Sequence, residues 1–292
     1  MRAQIFDALF ARMQRDPSVF LVIADMGINL IERFAEAFPD RFVNVGIAEQ
    51  NMIGACVGLA NCGYKPVAYT ISNFAVHRCF EQIRNDVAIH KTPIVILGIG
   101  TGYDNASLGP THHILDDWGC VRSFPGLEIH SPTSCAYASP LLDDLLDRGA
   151  SAYVRIPKSE SRYSESSEPM VYLPGQDQRI LVCTYGGLAP VAVEAQRLAP
   201  AISALVFNRL RPLSGDAIAS VLSRHQRVVV VEDHFAETGL YSSLCQVAAA
   251  RRMPVAIESR APTDYTLTVG TSPAFFLRSF RGDASSLAED LR

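Results

Sequence analysis

The sequence predicts an α/β protein made of two doubly wound domains, each with a parallel sheet covered by helices. Short apolar runs without polar alternation recur along the chain, and helical patterns separate them. Such runs are typical of strands that are buried on both faces of a parallel sheet. The 292 residues also suffice for two hydrophobic cores, because one domain typically holds about 150 residues.

The first domain is predicted to span residues 1–158. Its predicted strands are the apolar runs 19–24, 42–45, 66–71, 93–98, 128–130 and 152–156. Its predicted helices are 2–13, 48–62, 74–90 and 134–146, with a further helix after Pro110. Because helices separate the strands, the strands are expected to run parallel and to connect through crossovers.

Residues 159–178 are predicted to form an exposed linker, because this serine-rich stretch is polar and has no periodicity. The second, smaller domain is predicted over residues 179–292. Its predicted strands are 180–184, 204–207, 228–231 and 254–258. Its predicted helices are 189–198, 215–223 and 239–251. The residues that follow are expected to form a polar tail.

The composition argues against nucleic-acid and membrane partners. The net charge is −4, and no run of Lys and Arg supplies a basic surface. No apolar stretch approaches the roughly 20 residues of a membrane span. The first 15 residues are amphipathic and contain Asp7, unlike a secretory signal. Seven cysteines without a CxxC pair, among them Cys56, Cys183 and Cys245, predict reduced thiols in a cytoplasmic protein.

Glu49 is the first candidate functional residue, because it opens a predicted helix whose same face carries Ile53 and Cys56. A glutamate at this position can simply interact favourably with the helix dipole. The apolar face, however, favours a neutral carboxyl group that holds a proton. The residues alone leave both interpretations open.

Two further segments carry candidate residues. Phe74 lies at a strand-to-helix junction, where doubly wound sheets bind ligands, although a core phenylalanine is the commoner case. The glycine-rich loop at 98–117 contains the adjacent residues His112 and His113. Neighbouring side chains on a helix point about 100° apart, which favours a proton-handling histidine over a shared metal ligand. The loop has GxGxG but not the GxGxxG of a dinucleotide site.

Together these segments resemble the C-terminal half of transketolases, namely the pyrimidine-binding domain and the C-terminal domain. The resemblance rests on GIAEQN at 46–51, FEQIR at 80–84 and GPTHH at 109–113. The GDG…N segment that holds magnesium and diphosphate in this family does not occur in the sequence. The resemblance therefore implies one subunit of a split transketolase. It would use thiamine diphosphate and Mg, both held mainly by an N-terminal partner subunit that carries GDG…N.

The resemblance also implies roles for individual residues. Glu49 matches the glutamate that hydrogen-bonds N1′ of the aminopyrimidine and activates the cofactor. Phe74 matches the aromatic residue that stacks on the same ring, and His112 matches the histidine that contacts the reacting groups of the substrate. Further cofactor-binding positions are Asp25, Ile71 and His77.

The positions expected to contact substrate depart from the family. Leu108 stands where classical members have an aspartate that recognises the sugar donor, and Gly100 stands where they have a phosphate-binding histidine. A missing carboxylate removes a hydrogen-bond acceptor, so we expect altered donor discrimination and an unusual sugar or ketol substrate. Lys158 matches the phosphate-binding arginine. The predicted substrate-binding residues are Tyr103, Asp104, Leu108, His112, His113 and Lys158.

The family's cofactor site lies between a pyrimidine-binding and a diphosphate-binding domain, so the resemblance implies an α2β2 heterotetramer. The small residues Gly54, Ala55 and Gly58 are candidates for close packing there. Three alternatives remain: the β subunit of a 2-oxo acid dehydrogenase, a non-catalytic assembly subunit and a plain dinucleotide-binding domain. The dehydrogenase subunits share the two-domain layout but lack GPTHH.

Overall fold

Twelve strands form two sheets in residues 1–158, 166–177 and 179–291, which the computed structural model describes. The strands of the first sheet are β1 (Val19–Ile23), β2 (Phe42–Asn44), β3 (Lys65–Ile71), β4 (Val95–Ile99), β5 (Glu128–His130), β6 (Ala152–Ile156) and β10 (Arg209–Arg211). Those of the second are β7 (Met170–Leu173), β8 (Ile180–Tyr185), β9 (Ile202–Phe207), β11 (Arg227–Val231) and β12 (Ala256–Arg260).

The helices cover both faces of the sheets. They are α1 (Arg2–Arg15), α2 (Glu32–Ala37), α3 (Glu49–Asn61), α4 (Phe80–Gln82), α5 (Asp117–Val121), α6 (Cys135–Arg148), α7 (Ala189–Leu198), α8 (Gly215–Leu222), α9 (Leu240–Ala250), α10 (Pro273–Ser279) and α11 (Ala284–Asp290). None of the helices in the described residues has the length and apolar character that a membrane crossing requires.

The predicted fold class, α/β with two parallel-rich sheets, is confirmed. The first sheet has the order β10-β5-β6-β4-β3-β1-β2, and the second has the order β12-β11-β8-β9-β7. Strands β1 to β6 pair in parallel, as do β8, β9, β11 and β12. Ile71 at the end of β3 pairs with Ile99 at the end of β4, so the loops that follow these two strands leave the sheet side by side.

Two antiparallel strands do not respect the predicted domain boundaries. Strand β7 lies within the predicted linker and pairs with β9, so Met170–Leu173 belongs to the second sheet. Residues 159–165 and 178 of that linker lie outside the described residues. Strand β10 follows β9 in the chain but pairs with β5 of the first sheet. Strand β10 has the sequence Arg-Leu-Arg, so no apolar run marks it in the sequence.

Two helical predictions also need correction. The predicted helix 74–90 is divided, because Phe74–Arg78 and Ile83–Ile89 form wider π-helical turns on either side of α4. The predicted polar tail contains α10 and α11. Leu287 and Leu291 are buried against the core beside α7, which explains why the chain is helical there.

A single apolar cluster extends from one sheet to the other. Trp118 on α5 and Tyr185 on β8 lie in this cluster, and the Trp118 Nε1 donates to the Tyr185 hydroxyl at 3.3 Å. The thiols of Cys56 and Cys183 are free and buried, as expected, whereas Cys245 is only partly buried. The two sheets therefore share this cluster, and each sheet also has an apolar cluster of its own.

Candidate active site

The carboxyl ends of four adjacent strands bring the predicted site residues together. Asp25 follows β1, Glu49 follows β2 and Phe74 follows β3, while His112 lies in the loop after β4. The sheet order β4-β3-β1-β2 makes these loops neighbours. Doubly wound sheets bind ligands at this edge, because the loops there leave a crevice.

Glu49 is the first residue of α3, and it is 3% exposed. Its carboxylate meets the guanidinium of Arg78, whose Nη1 donates to Oε1 at 2.9 Å and to Oε2 at 2.8 Å. The prediction of a purely apolar environment for Glu49 is therefore wrong. In the structure a cation faces the carboxylate and stabilises its negative charge.

Phe74 is half-buried and contacts two other candidate groups. The Arg78 Cζ lies 3.8 Å from the centroid of its ring. The His112 ring lies 5.5 Å away in an edge-to-face arrangement. The Asn73 Nδ2 also donates to the Thr111 carbonyl at 2.6 Å, which fastens the Phe74 segment to the histidine loop. Glu49, Arg78, Phe74 and His112 thus form a continuous chain of contacts.

His77 lies beside this chain, in an open cleft of about 600 Å³ that Glu49 and Arg78 also line. Its Nε2 is 3.2 Å from an Asp116 carboxylate oxygen, and its Nδ1 is 3.1 Å from the Asn73 carbonyl. The hydrogen bond with Asp116 raises the pKa of His77 to about 10, against the effect of burial. The cleft therefore has an imidazolium on its wall at neutral pH.

Asp25 and Ile71 also lie at this edge. Asp25 is exposed and adopts a left-handed conformation with a φ of 47°. The Asn44 Oδ1 accepts hydrogen bonds from the backbone N–H of Asp25 at 3.1 Å and of Gly46 at 2.9 Å. Asn44 therefore holds the ends of β1 and β2 together. Ile71 is half-buried at the end of β3.

Asp104 and Lys158 are brought together in the loop after β4. The Asp104 Oδ2 accepts from the backbone N–H groups of Thr101 and Lys158, both at 2.9 Å. The Lys158 Nζ donates to the Asn105 Oδ1. Leu108 is 54% exposed on the same loop. These contacts fix the shape of the loop and leave Leu108 accessible.

Tyr103 and His113 are placed differently from the prediction. They are 4% and 2% exposed, and both pack against Phe276 of α10. Tyr103 stacks on Phe276 at 4.2 Å, and burial lowers the pKa of His113. Phe276 covers both rings, so the structure shows packing contacts where the sequence predicted substrate contacts. Phe276 lies in the segment that was predicted to be a polar tail, so this contact was not expected.

Sequence reasoning also missed Arg78. Its position four residues after Phe74 is the one signal that could have indicated a contact between the two side chains.

The described residues contain no group of three or more His, Cys, Asp and Glu side chains arranged to hold a metal ion. A buried carboxylate and an aromatic ring beside an open cleft do fit a flat, nitrogen-containing ring such as an aminopyrimidine.

Residues 1–164 match the family model described as the transketolase pyrimidine-binding domain. The chain belongs to the transketolase family. The match covers β1 to β6 and hence every strand whose carboxyl end contributes to the candidate site.

Relatives of this transketolase-family chain include split and full-length proteins. It is 29% identical to one of the subunits of the apulose-4-phosphate transketolase of Actinobacillus succinogenes, over 80% of this chain and 78% of the relative. It is 32% identical to the 1-deoxy-D-xylulose-5-phosphate synthase of Mycobacterium avium, over 96% of this chain and 45% of that protein. A solved structure described as a split gene transketolase, an inactive beta4 tetramer, has a TM-score of 0.86 at 24% identity, covering 99% of this chain and 95% of that one.

The second sheet contributes a buried histidine to this transketolase fold. His234 is 0% exposed; its Nε2 accepts from the Gly119 N–H at 3.2 Å, and its Nδ1 is 2.9 Å from the Phe235 carbonyl. Burial lowers the pKa of His234 to about 4. Both nitrogens bind backbone groups, so His234 has a structural role in this fold.

Proposed function

We propose that the chain is one subunit of a split, thiamine diphosphate-dependent transketolase that transfers a two-carbon ketol unit between sugar-like substrates. The observation that carries this proposal is the convergence of Glu49, Phe74 and His112 at one sheet edge beside an open cleft. Membership of the transketolase family supports it. Neither a non-catalytic assembly subunit nor a plain dinucleotide-binding domain needs a buried glutamate in this position.

Glu49 and Phe74 hold the aminopyrimidine ring in this proposal. The buried Glu49 carboxyl group shares a proton with the ring nitrogen N1′, and the face of Phe74 stacks on the ring. Asp25, Ile71 and His77 surround the same cofactor at the sheet edge. Thiamine diphosphate, when bound, supplies the carbon nucleophile that accepts the ketol unit.

His112 contacts the reacting carbonyl and hydroxyl groups of the substrate. Asp104 and Lys158 shape the loop beside it, and Lys158 supplies a positive charge for an anionic substrate group. Leu108 offers an aliphatic surface where a carboxylate acceptor is absent, so donor selection differs from that of the classical members. A relative named for apulose-4-phosphate supports a sugar or sugar phosphate as the substrate class.

The partner in this proposal is an N-terminal subunit that carries GDG…N and holds Mg and the diphosphate. Gly54 and Gly58 lie on an exposed face of α3, and a Cβ built on either would meet nothing within 4 Å. Ile47 in the cleft is 76% exposed, as expected for a surface that a partner covers. A split gene transketolase described as an inactive beta4 tetramer supports the proposal that this subunit alone is inactive. We propose that activity requires the partner, in a cytoplasmic α2β2 assembly.

The test is turnover by the complex of this chain with its N-terminal subunit. Glu49→Gln should abolish ketol transfer while the complex still assembles, because the amide cannot hold the proton that the ring nitrogen shares. The control Glu36→Gln, on an exposed residue of α2, should keep the activity of the wild type. Full activity of Glu49→Gln would remove this residue from the mechanism. Tight cofactor binding by the chain alone would overturn the requirement for a partner.

A further inference from the structure

Arg78 contacts both groups to which the proposed function assigns the aminopyrimidine ring. Its Nη1 donates to both carboxylate oxygens of Glu49, at 2.9 and 2.8 Å. Its Cζ lies 3.8 Å from the centroid of Phe74. A single planar guanidinium therefore makes an edge-on hydrogen bond to the carboxylate and a face-on contact with the phenyl ring.

These contacts cannot coexist with an aminopyrimidine held by the same two residues. At 3.8 Å the guanidinium is at van der Waals distance from Phe74, which leaves no space for a second flat group between them. Both Glu49 oxygens also accept hydrogen bonds from Arg78, and this side chain is 3% exposed. A ring that stacks on this face of Phe74 and hydrogen-bonds Glu49 must take the place of the guanidinium.

We propose that Arg78 is a latch that occupies the aminopyrimidine position in the unliganded chain and competes with the cofactor for it. The inference rests on the proposed function, because that function assigns the ring to Glu49 and Phe74. The inference adds that a side chain of this same subunit must move away before the cofactor can bind.

The surroundings of Arg78 allow it to leave. Its side chain is 42% exposed, although that of Glu49 is almost fully buried. It lines the cleft of about 600 Å³, into which rotation about its side-chain bonds can carry the guanidinium without movement of α3. The latch is therefore a side-chain switch and requires no rearrangement of the fold.

The contact also has a function before the cofactor arrives. A carboxylate buried without a cation is costly, and Arg78 supplies the counter-charge for Glu49. Removing the guanidinium should thus have two effects of opposite sign. It should destabilise the unliganded chain, and it should strengthen binding of the cofactor.

The test measures the Kd of thiamine diphosphate by titration calorimetry, in the presence of Mg²⁺, on the complex with the N-terminal subunit. Arg78→Ala should lower the Kd by about five- to tenfold, because the apparent Kd equals the intrinsic Kd divided by the fraction of molecules in which the site is free, and that fraction is small in the wild type. The melting temperature of the unliganded Arg78→Ala chain should also fall. Arg78→Lys, which keeps the charge but loses the planar fork, should lie between the wild type and Arg78→Ala.

Arg84→Ala provides the matched control. Arg84 is exposed in the same region of the chain, and its side chain donates to the neighbouring Asn85. This variant should keep the Kd of the wild type. A Kd for Arg78→Ala that equals or exceeds that of the wild type overturns the latch, and a higher value makes Arg78 a cofactor ligand.

The outcomes separate the latch from the proposed function. If the Arg78→Ala complex binds thiamine diphosphate and the wild-type complex binds it weakly or not at all, both the latch and the proposed function are supported. Equal binding by the two complexes overturns only the latch. Absence of binding in the wild type, Arg78→Ala and Arg84→Ala complexes overturns the proposed function and the latch with it.

Discussion

Arg155 on β6 and Asp117 at the start of α5 form an ion pair in which both side chains are fully buried. The Arg155 Nε and Nη2 donate to the two carboxylate oxygens at 2.7 and 2.9 Å. The Tyr153 hydroxyl donates to the same carboxylate at 2.6 Å. Because Asp117 ends the loop that carries His112, this pair fixes one end of the candidate active site to the sheet.

Breaking this pair should be strongly destabilising. Asp117→Asn leaves the Arg155 charge buried without its partner, and we expect a loss of about 3–5 kcal/mol in the free energy of unfolding. Urea denaturation of the variant and the wild type measures this loss. The double variant Arg155→Met with Asp117→Leu should recover much of it, since no charge stays buried.

The exposed pair of Arg197 and Glu194 on α7 serves as the control for that experiment. Glu194→Gln should change the free energy of unfolding by less than about 1 kcal/mol, because water and salt screen exposed ion pairs. An Asp117→Asn variant as stable as Glu194→Gln would contradict the importance of the buried pair.

Asp233 should make the stability depend on pH. Burial raises its pKa to about 7, although the nearby Arg155 acts in the opposite direction. Between about pH 4 and about pH 7 the native state then holds a proton that the unfolded state has lost, so the stability should fall as the pH rises. Asp233→Asn should lessen this fall by about 1.4 kcal/mol for each unit by which the native pKa is raised.

Thermal or urea denaturation between pH 4 and pH 8 measures this effect, with Asp40→Asn on the exposed surface as the control. The Asp40→Asn profile should run parallel to that of the wild type. If the Asp233→Asn and wild-type profiles were also parallel, Asp233 would not bind a proton in the native state within this range.

His77 should remain protonated at neutral pH because of its contact with Asp116. The hydrogen bond between the two raises the pKa of His77 to about 10. Asp116→Asn removes the negative charge and should lower this pKa towards the ordinary value of about 6.5. NMR titration of the imidazole resonances measures it, and His77→Gln identifies the signal. A wild-type ring that titrates near pH 6.5 would show that the contact does not form in solution.

Leu108→Asp should change donor preference without affecting the fold. Leu108 is 54% exposed on the histidine loop, so the substitution should change the free energy of unfolding by no more than about 0.5 kcal/mol. The new carboxylate supplies a hydrogen-bond acceptor for a donor hydroxyl, which should raise kcat/KM for ordinary ketose phosphates relative to other donors. Leu267→Asp, at a position 85% exposed, is the control. An unchanged donor profile would mean that residue 108 does not face the substrate.

Much of the fold and part of the candidate site could be predicted from the sequence. The apolar runs identified the parallel strands of both sheets, because burial on both faces leaves a continuous apolar signal. Glu49, Phe74 and His112 were identified together through the resemblance of their motifs to transketolases. Apolar runs and motifs are both formed by residues that are neighbours in the chain.

The tertiary structure alone decided which side chains meet. Arg78 and Glu49 are 29 residues apart, and Arg155 and Asp117 are 38 apart, so no local period records either pair. Phe276, on a helix far along the chain, covers the ring of Tyr103. Short strands such as β10 form only because a neighbouring strand offers hydrogen bonds. The sequence by itself therefore determined the strands, through their apolar runs, and the candidate site residues, through their motifs. Long-range packing decided which charged side chains pair and which residues of the site are accessible.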